Sequence, residues 1–157
     1  MNVLSQTTGY AITALAHLAA SPAASLLVRE IAAATDIPPP YLAKVVQRLA
    51  AAGIVDSKRG YRGGIRMAAP PETITIAQID KAVDLQRVPD RCLLGMTDCS
   101  DARDCPAHSF WVNQRKQIRQ RLEVLTLADI VAFEARRAGR ASTENIEALA
   151  VESTQSR

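Results

Sequence analysis

Four apolar residues, Leu42, Val45, Val46 and Leu49, lie on one side of a helix fenced by backbone punctuation at both ends. This stretch constrains the fold of the chain more than any other. Upstream stand Asp36-Ile37-Pro38 and then Pro39-Pro40. Proline suits the first turn of a helix, where an N–H would have no intrahelical partner. Downstream, Gly53 supplies the C-terminal stop. The apolar stripe leaves Pro40, Tyr41, Lys44, Gln47 and Arg48 on the opposite, polar and basic side. Leu27–Thr35 reads as a shorter preceding helix with Val28, Ile31 and Ala32 inward. An opening helix, about Ser5 to Ala20, has Leu4, Ala11, Ile12, Leu15, Leu18 and Ala19 at helical spacing and is closed by Ser21-Pro22. His17 falls towards its other face, where a surface or structural role is expected. Two helices, a tight turn and a third helix with a basic outer face form a helix-turn-helix pattern.

Many small helical domains would satisfy that pattern, and the next segment narrows it. Ile54-Val55-Asp56-Ser57 and Ile65-Arg66-Met67 flank Lys58-Arg59-Gly60-Tyr61-Arg62-Gly63-Gly64. Two short extended runs around a glycine-rich basic tip predict a β-hairpin, which after a helix-turn-helix is a wing. Lys58, Arg59 and Arg62 can lie along phosphates or enter a narrow minor groove. A phosphate-cradling loop of a nucleotide enzyme would need a Gly-Lys-Ser/Thr ending and a strand-loop-helix order, and both are missing. The fold class expected is mainly α with a small β-wing: a winged helix-turn-helix domain followed by a long C-terminal dimerisation helix.

Beyond Pro70-Pro71, Thr75 caps a helix to about Val83 that carries Ile76, Ile79 and Val83 inward. The longest periodic segment runs from about Pro106 to Leu125, with Trp111, Ile118, Leu122 and Leu125 along one side. Little chain remains to cover that side, so a second subunit is expected to pack on it. Arg115, Lys116, Arg119 and Arg121 read as a solvated face. Thr126-Leu-Ala-Asp129 opens a last short helix through Phe133, and from Gly139 onward the polar composition predicts a disordered tail. The expected division is a DNA-binding domain over 1–85, a cysteine-rich loop over 86–108, dimerisation helices over 109–138 and the tail over 139–157.

Charge follows the same division. Between Met1 and Pro70, seven Lys or Arg stand against three Asp or Glu, and the remainder carries twelve against thirteen. A basic first half suits nucleic acid. No apolar run is long enough to span a bilayer, and the Met1 start lacks a signal pattern, so a cytoplasmic protein with reduced thiols and no membrane partner is expected. An odd cysteine number also argues against a disulfide framework.

All three cysteines lie in Cys92-Leu-Leu-Gly-Met-Thr-Asp-Cys99-Ser-Asp-Ala-Arg-Asp-Cys105-Pro-Ala-His108, together with one of the two histidines. The Gly, Asp, Ser and Pro around them suit a turning backbone, whereas a thiol that only packs usually sits among aliphatic residues. Three soft thiols and an imidazole so close together read as ligands for a metal ion or an iron–sulfur cluster. Structural zinc is one alternative, but the cysteine gaps of six and five residues exceed the roughly two to four typical of such sites. A metal-free thiol switch is another. An enzyme is the least supported class, because no nucleophile–base constellation or nucleotide motif is present.

The order of these parts resembles the Rrf-two family of bacterial winged-helix transcription regulators over about Leu4 to Phe133. The matching pieces are Leu4-Ser5…Tyr10-Ala11, Tyr41-Leu42…Leu49…Ala52-Gly53-Ile54-Val55, Ser57-Lys-Arg59-Gly60…Gly63-Gly64 and Thr75-Ile76…Ile79…Ala82-Val83. Cys105-Pro-Ala-His108-Ser-Phe-Trp111 looks most like the iron–sulfur cluster regulators of that family. The resemblance implies a 2Fe–2S cluster held by Cys92, Cys99, Cys105 and His108. The alternative is the 4Fe–4S cluster that nitric-oxide and iron regulators of the family can carry. In the nitric-oxide sensors an Asp from the partner subunit completes the ligand set. Here the matching region is Thr8-Gly9, without a carboxylate, which favours His108. On the DNA side the resemblance implies readout by the helix that starts at Pro39 and minor-groove contact by Arg59. Positions 39, 40, 43 and 44 depart from the usual readers, being Pro39, Pro40, Ala43 and Lys44, so a distinct operator is expected. A homodimer on palindromic double-stranded DNA follows from the two-fold symmetry such regulators use.

Overall fold

In the computed structural model, described for residues 4–23, 25–58, 60, 63–84, 92–95, 99, 100, 102 and 104–139, each helix begins and ends on local chemistry. Helix α1 (Gln6–Ala20) opens where Ser5 Oγ accepts from the Thr8 N–H at 3.2 Å. Helix α2 (Val28–Thr35) opens with the Leu27 N–H donating to Glu30 Oε2 at 2.8 Å. It stops at Asp36, whose φ of 55° is a left-handed conformation that Asp tolerates better than most side chains. Helix α3 (Pro39–Ala51) follows directly. At its end Gly53 adopts φ 71°, and the N–H groups of Gly53 and Ile54 return to the carbonyls of Ala50 and Leu49, each at 3.0 Å. That pair of bonds is the glycine-dependent helix stop that residue 53 promised.

The wing is a two-stranded antiparallel ribbon, β1 (Val55–Lys58) and β2 (Gly64–Met67), in register from Val55 opposite Met67 to Lys58 opposite Gly64. Leu26 adds a rung that periodicity did not reveal. Its N–H and carbonyl exchange bonds with Ile65 at 3.0 and 2.7 Å. This approach explains Gly64, where a Cβ would meet Ser25 Cβ and Oγ at 3.0 Å. The wing is therefore pinned to the segment before α2 as well as to the end of α3.

After a 3₁₀ turn (Pro71–Thr73), helix α4 (Ile76–Val83) opens with a reciprocal cap. Thr75 Oγ1 accepts from the Gln78 N–H at 3.2 Å and Gln78 Oε1 accepts from the Thr75 N–H at 2.8 Å. Helix α5 spans His108–Val124, and residues 127–139 form a last helix, α6, longer than the expected stop at Phe133. The α5–α6 junction returns to the start of α4: Ile76 N–H donates to Leu125 O at 2.9 Å, and Leu127 N–H to Ile74 O at 2.8 Å.

The core gathers Leu15 from α1, Ile31 from α2, Leu42, Val45 and Leu49 from α3, Ile76, Ile79 and Val83 from α4, and Leu127 from α6. Every position of the α3 stripe and of the α4 stripe is buried. Helix α5 is different. None of its residues is buried, and Phe110, Val112 and Val124 are exposed. Leu122 and Leu125 rest against the core, whereas Trp111 and Ile118 are only half-buried. Among the described residues no helix is long and apolar enough to cross a membrane. The expected wing contacts Arg59 and Arg62, and the tail from 140 onward, lie outside the described residues.

Candidate DNA interface and metal centre

Helix α3 displays its outer side as the spacing implied. Pro39, Pro40, Tyr41, Lys44, Gln47 and Arg48 are all exposed, and so is Lys58 at the end of β1. The residues nevertheless differ in what they touch. Tyr41 leans on α1, its ring edge-on to Tyr10 with centroids 5.4 Å apart. Its hydroxyl is hydrogen-bonded to Thr7 Oγ1, while Gln6 Nε2 donates to the Tyr10 hydroxyl at 2.9 Å. Tyr41 thus braces α3 on α1. Arg48 turns towards α4, with Nη1 donating to the Val83 carbonyl at 2.7 Å. At the head of α3 the N–H groups of Tyr41 and Leu42 both return to Pro38 O at 3.0 Å. Lys44 and Gln47 remain the exposed long polar side chains of this face.

The cysteine segment connects the end of α4 to the start of α5. Cys92, Cys99 and Cys105 form no disulfide and are each half-buried. A turn closed by Gly95 N–H on Cys92 O at 3.0 Å follows the first cysteine. His108 begins α5 with its N–H on Cys105 O at 3.0 Å, so Cys105 sits one turn ahead of the helix. That places the imidazole next to a thiol: His108 Nδ1 lies 3.3 Å from Cys99 Sγ. Among the described residues no three Cys, His, Asp or Glu side chains are gathered closely enough to hold one metal ion. Cys99 and His108 are therefore brought within hydrogen-bonding distance, and neither Cys92 nor Cys105 completes a three-ligand group with them among the described residues. The donor chemistry, soft thiols plus one imidazole, fits an iron–sulfur cluster or zinc.

Two contacts of this region had no counterpart in the sequence reading. Arg115 stacks its guanidinium 5.9 Å from the Trp111 ring on α5, at a spacing that pairs side chains along a helix. The bond from Arg48 to Val83 could not be read beforehand, because a backbone carbonyl carries no residue signature.

Comparison with known proteins agrees with this architecture. The family described as Rrf2, iron-dependent transcriptional regulator, matches residues 4–133. A helix-turn-helix-type transcriptional regulator of Aquifex aeolicus is 36% identical over 134 residues, covering 84% of this chain and 93% of that protein. The regulator IscR of Vibrio vulnificus is 31% identical over 124 residues, covering 78% and 73%. Among solved structures, IscR of T. potens superimposes with a TM-score of 0.65 at 26% identity, covering 85% of this chain and 88% of that one. CymR, the global cysteine regulator of B. subtilis, gives 0.69 at 23% identity over 85% and 98%, and shows the shared fold. With a family match across more than four-fifths of its length, the chain belongs to the Rrf2 family of winged-helix transcriptional regulators.

Proposed function

We propose that the protein is a homodimeric DNA-binding regulator whose operator affinity is set by an iron–sulfur cluster held by Cys92, Cys99, Cys105 and His108. The observation that carries this reading is the 3.3 Å approach of Cys99 Sγ to His108 Nδ1 within a segment that holds every thiol of the chain. A 2Fe–2S cluster is favoured over 4Fe–4S because an imidazole, not a fourth thiol, completes the set. When bound, the cluster supplies a charged anchor whose loss or oxidation can be sensed. The chain's own part is to offer ligands from a segment tied at both ends to helices, so that drawing the ligands together changes how α4 and α5 are held.

Helix readout is assigned to Pro39, Pro40, Lys44 and Gln47, and wing contact to Lys58, Arg59 and Arg62; Tyr41 and Arg48, on the same side of α3, are engaged with Thr7 and Val83 and hold the helix in place. Lys44 can reach a guanine edge or a phosphate, and Ala43 offers only an apolar contact. Dimerisation is assigned to α5 and α6. Exposed Val124 and Phe133 flank a groove with Leu125 and Ile130, rimmed by Arg121 and Arg136. A second subunit on that surface would set the two α3 helices in successive major grooves, roughly 34–36 Å apart.

Anaerobic purification tests the cluster. Visible absorption with stoichiometric iron and acid-labile sulfide is expected, and a colourless protein with one zinc per chain would replace this reading by a structural zinc site. The Cys99–His108 contact also supports a second reading, a metal-free thiol switch. That reading requires reversible oxidation of Cys92, Cys99 or Cys105 alone to change operator affinity. Side-by-side operator binding by holo, apo and oxidised protein separates the two.

A further inference from the structure

The bond between Arg48 and Val83 lies at the meeting point of the two functional regions. Helix α4 ends at Val83, and the last carbonyls of a helix have no intrahelical donor of their own. Val83 O is served instead by Arg48 Nη1 at 2.7 Å. A guanidinium there also meets the negative end of the α4 dipole. The Val83 side chain is fully buried, so its carbonyl is fixed against the core. Beyond Asp84 the chain runs eight positions to Cys92. At the other end of the bond, Arg48 shares the outer side of α3 with Lys44, one turn earlier.

We propose that Arg48 is a positioning residue that links the end of α4, from which the cysteine segment departs, to the DNA-reading helix. The proposal rests on the sensing role proposed above for the cysteine segment. The physical basis is a single shared bond: drawing the cysteine segment together pulls on the end of α4, and Val83 O either carries the guanidinium with it or leaves it. In the second case helix α3 loses a tether to α4, and Arg48 is freed to turn outward. With Val83 O in place the guanidinium is held and α3 is fixed. Coupling of this kind is reciprocal, so operator binding must also change how the cysteine segment behaves.

The test compares wild type with Arg48→Ala and Arg48→Lys in two measurements. The first is operator affinity of metal-loaded and metal-free protein over a range of salt. The second is the alkylation rate of Cys92, resolved by mass spectrometry, in metal-free protein with and without operator. Allosteric coupling of ordinary size gives wild type a ratio of about 5- to 150-fold between loaded and free forms. In Arg48→Ala that ratio should fall towards one, with the salt dependence unchanged, and operator should no longer alter Cys92 alkylation. Arg48→Lys keeps the charge and much of the stem, and should retain part of the coupling even where the alanine variant is poorly folded. The proposal is overturned if both forms lose affinity equally while the salt slope falls by about one, the mark of a simple phosphate contact. It is also overturned if operator leaves Cys92 alkylation unchanged in wild type, or if the variants behave as wild type in both measurements. If wild type shows no metal dependence but its Cys92 response to operator is lost in Arg48→Ala, the sensing reading fails and the Arg48 link stands.

Discussion

Thr8 Oγ1 donates to Asp80 Oδ1 at 2.7 Å, joining the first turn of α1 to the middle of α4. Thr8 is fully buried, and its proton is committed to Asp80, so the 3.0 Å contact with Ser5 Oγ must be donated by Ser5. Thr8→Val keeps the shape and removes the donor. A hydrogen bond to a charged group is worth about 1.5–3 kcal/mol, and Asp80 is partly open to water. A loss of stability towards the lower end of that range is expected, read as a lower urea midpoint with an unchanged slope.

The start of α6 gives a pH prediction. The Thr126 N–H and hydroxyl both donate to Asp129 Oδ2 at 2.9 Å, and the nearby Arg121 charge acts in the same direction. Together they hold the Asp129 carboxyl below its ordinary range. A carboxyl lowered on folding stabilises the folded state above its unfolded pKa, and that contribution is lost as pH falls through the folded value. Asp129→Asn should melt below wild type at neutral pH. The gap should close in acid, where wild type is also uncharged. A gap constant with pH in thermal melts would assign the cap to geometry alone.

Arg59 carries the wing prediction. Arg59→Ala should weaken operator binding by about 1–3 kcal/mol, most where the facing minor groove is A/T-rich and narrow. Fluorescence anisotropy on operators that differ only in those flanking steps measures it. Equal affinity on all of them would remove the wing from recognition.

Val124 tests the proposed dimer surface. It is 64% exposed at the end of α5, beside the groove lined by Leu125 and Phe133. A carboxylate there would have to be desolvated against a partner, so Val124→Asp should weaken self-association by about tenfold or more, which is at least ~1.4 kcal/mol. Sedimentation should show monomer at concentrations where wild type is dimeric, with an unchanged circular dichroism spectrum.

Legibility in the sequence followed the type of interaction. The α3 stripe, the Gly53 stop and the Thr75 cap were readable because each rests on periodicity or on a residue with a specific backbone preference. The Leu26–Ile65 rung and the return of Leu127 to Ile74 were not, because both are backbone pairings between distant segments. Helix α5 shows why one apolar side can mislead. Leu122 and Leu125 meet the core, but Phe110, Val112 and Val124 are left outside, so apolar positions face more than one neighbour. At the candidate site, residue types alone singled out the four proposed ligands. Which two lie together depended on His108 opening α5 and could not be read from spacing.

The prolines at the head of α3 limit how the proposed reading helix can meet DNA. Many helices that approach a phosphate do so amide first, with the positive end of the dipole and spare N–H groups in front. Here Pro39 and Pro40 have no N–H, and those of Tyr41 and Leu42 are both spent on Pro38 O. The leading edge of the helix can attract an anion but cannot grip it. What it presents to a groove floor is hydrocarbon, a surface suited to the thymine methyl group and blind to the acceptors of guanine.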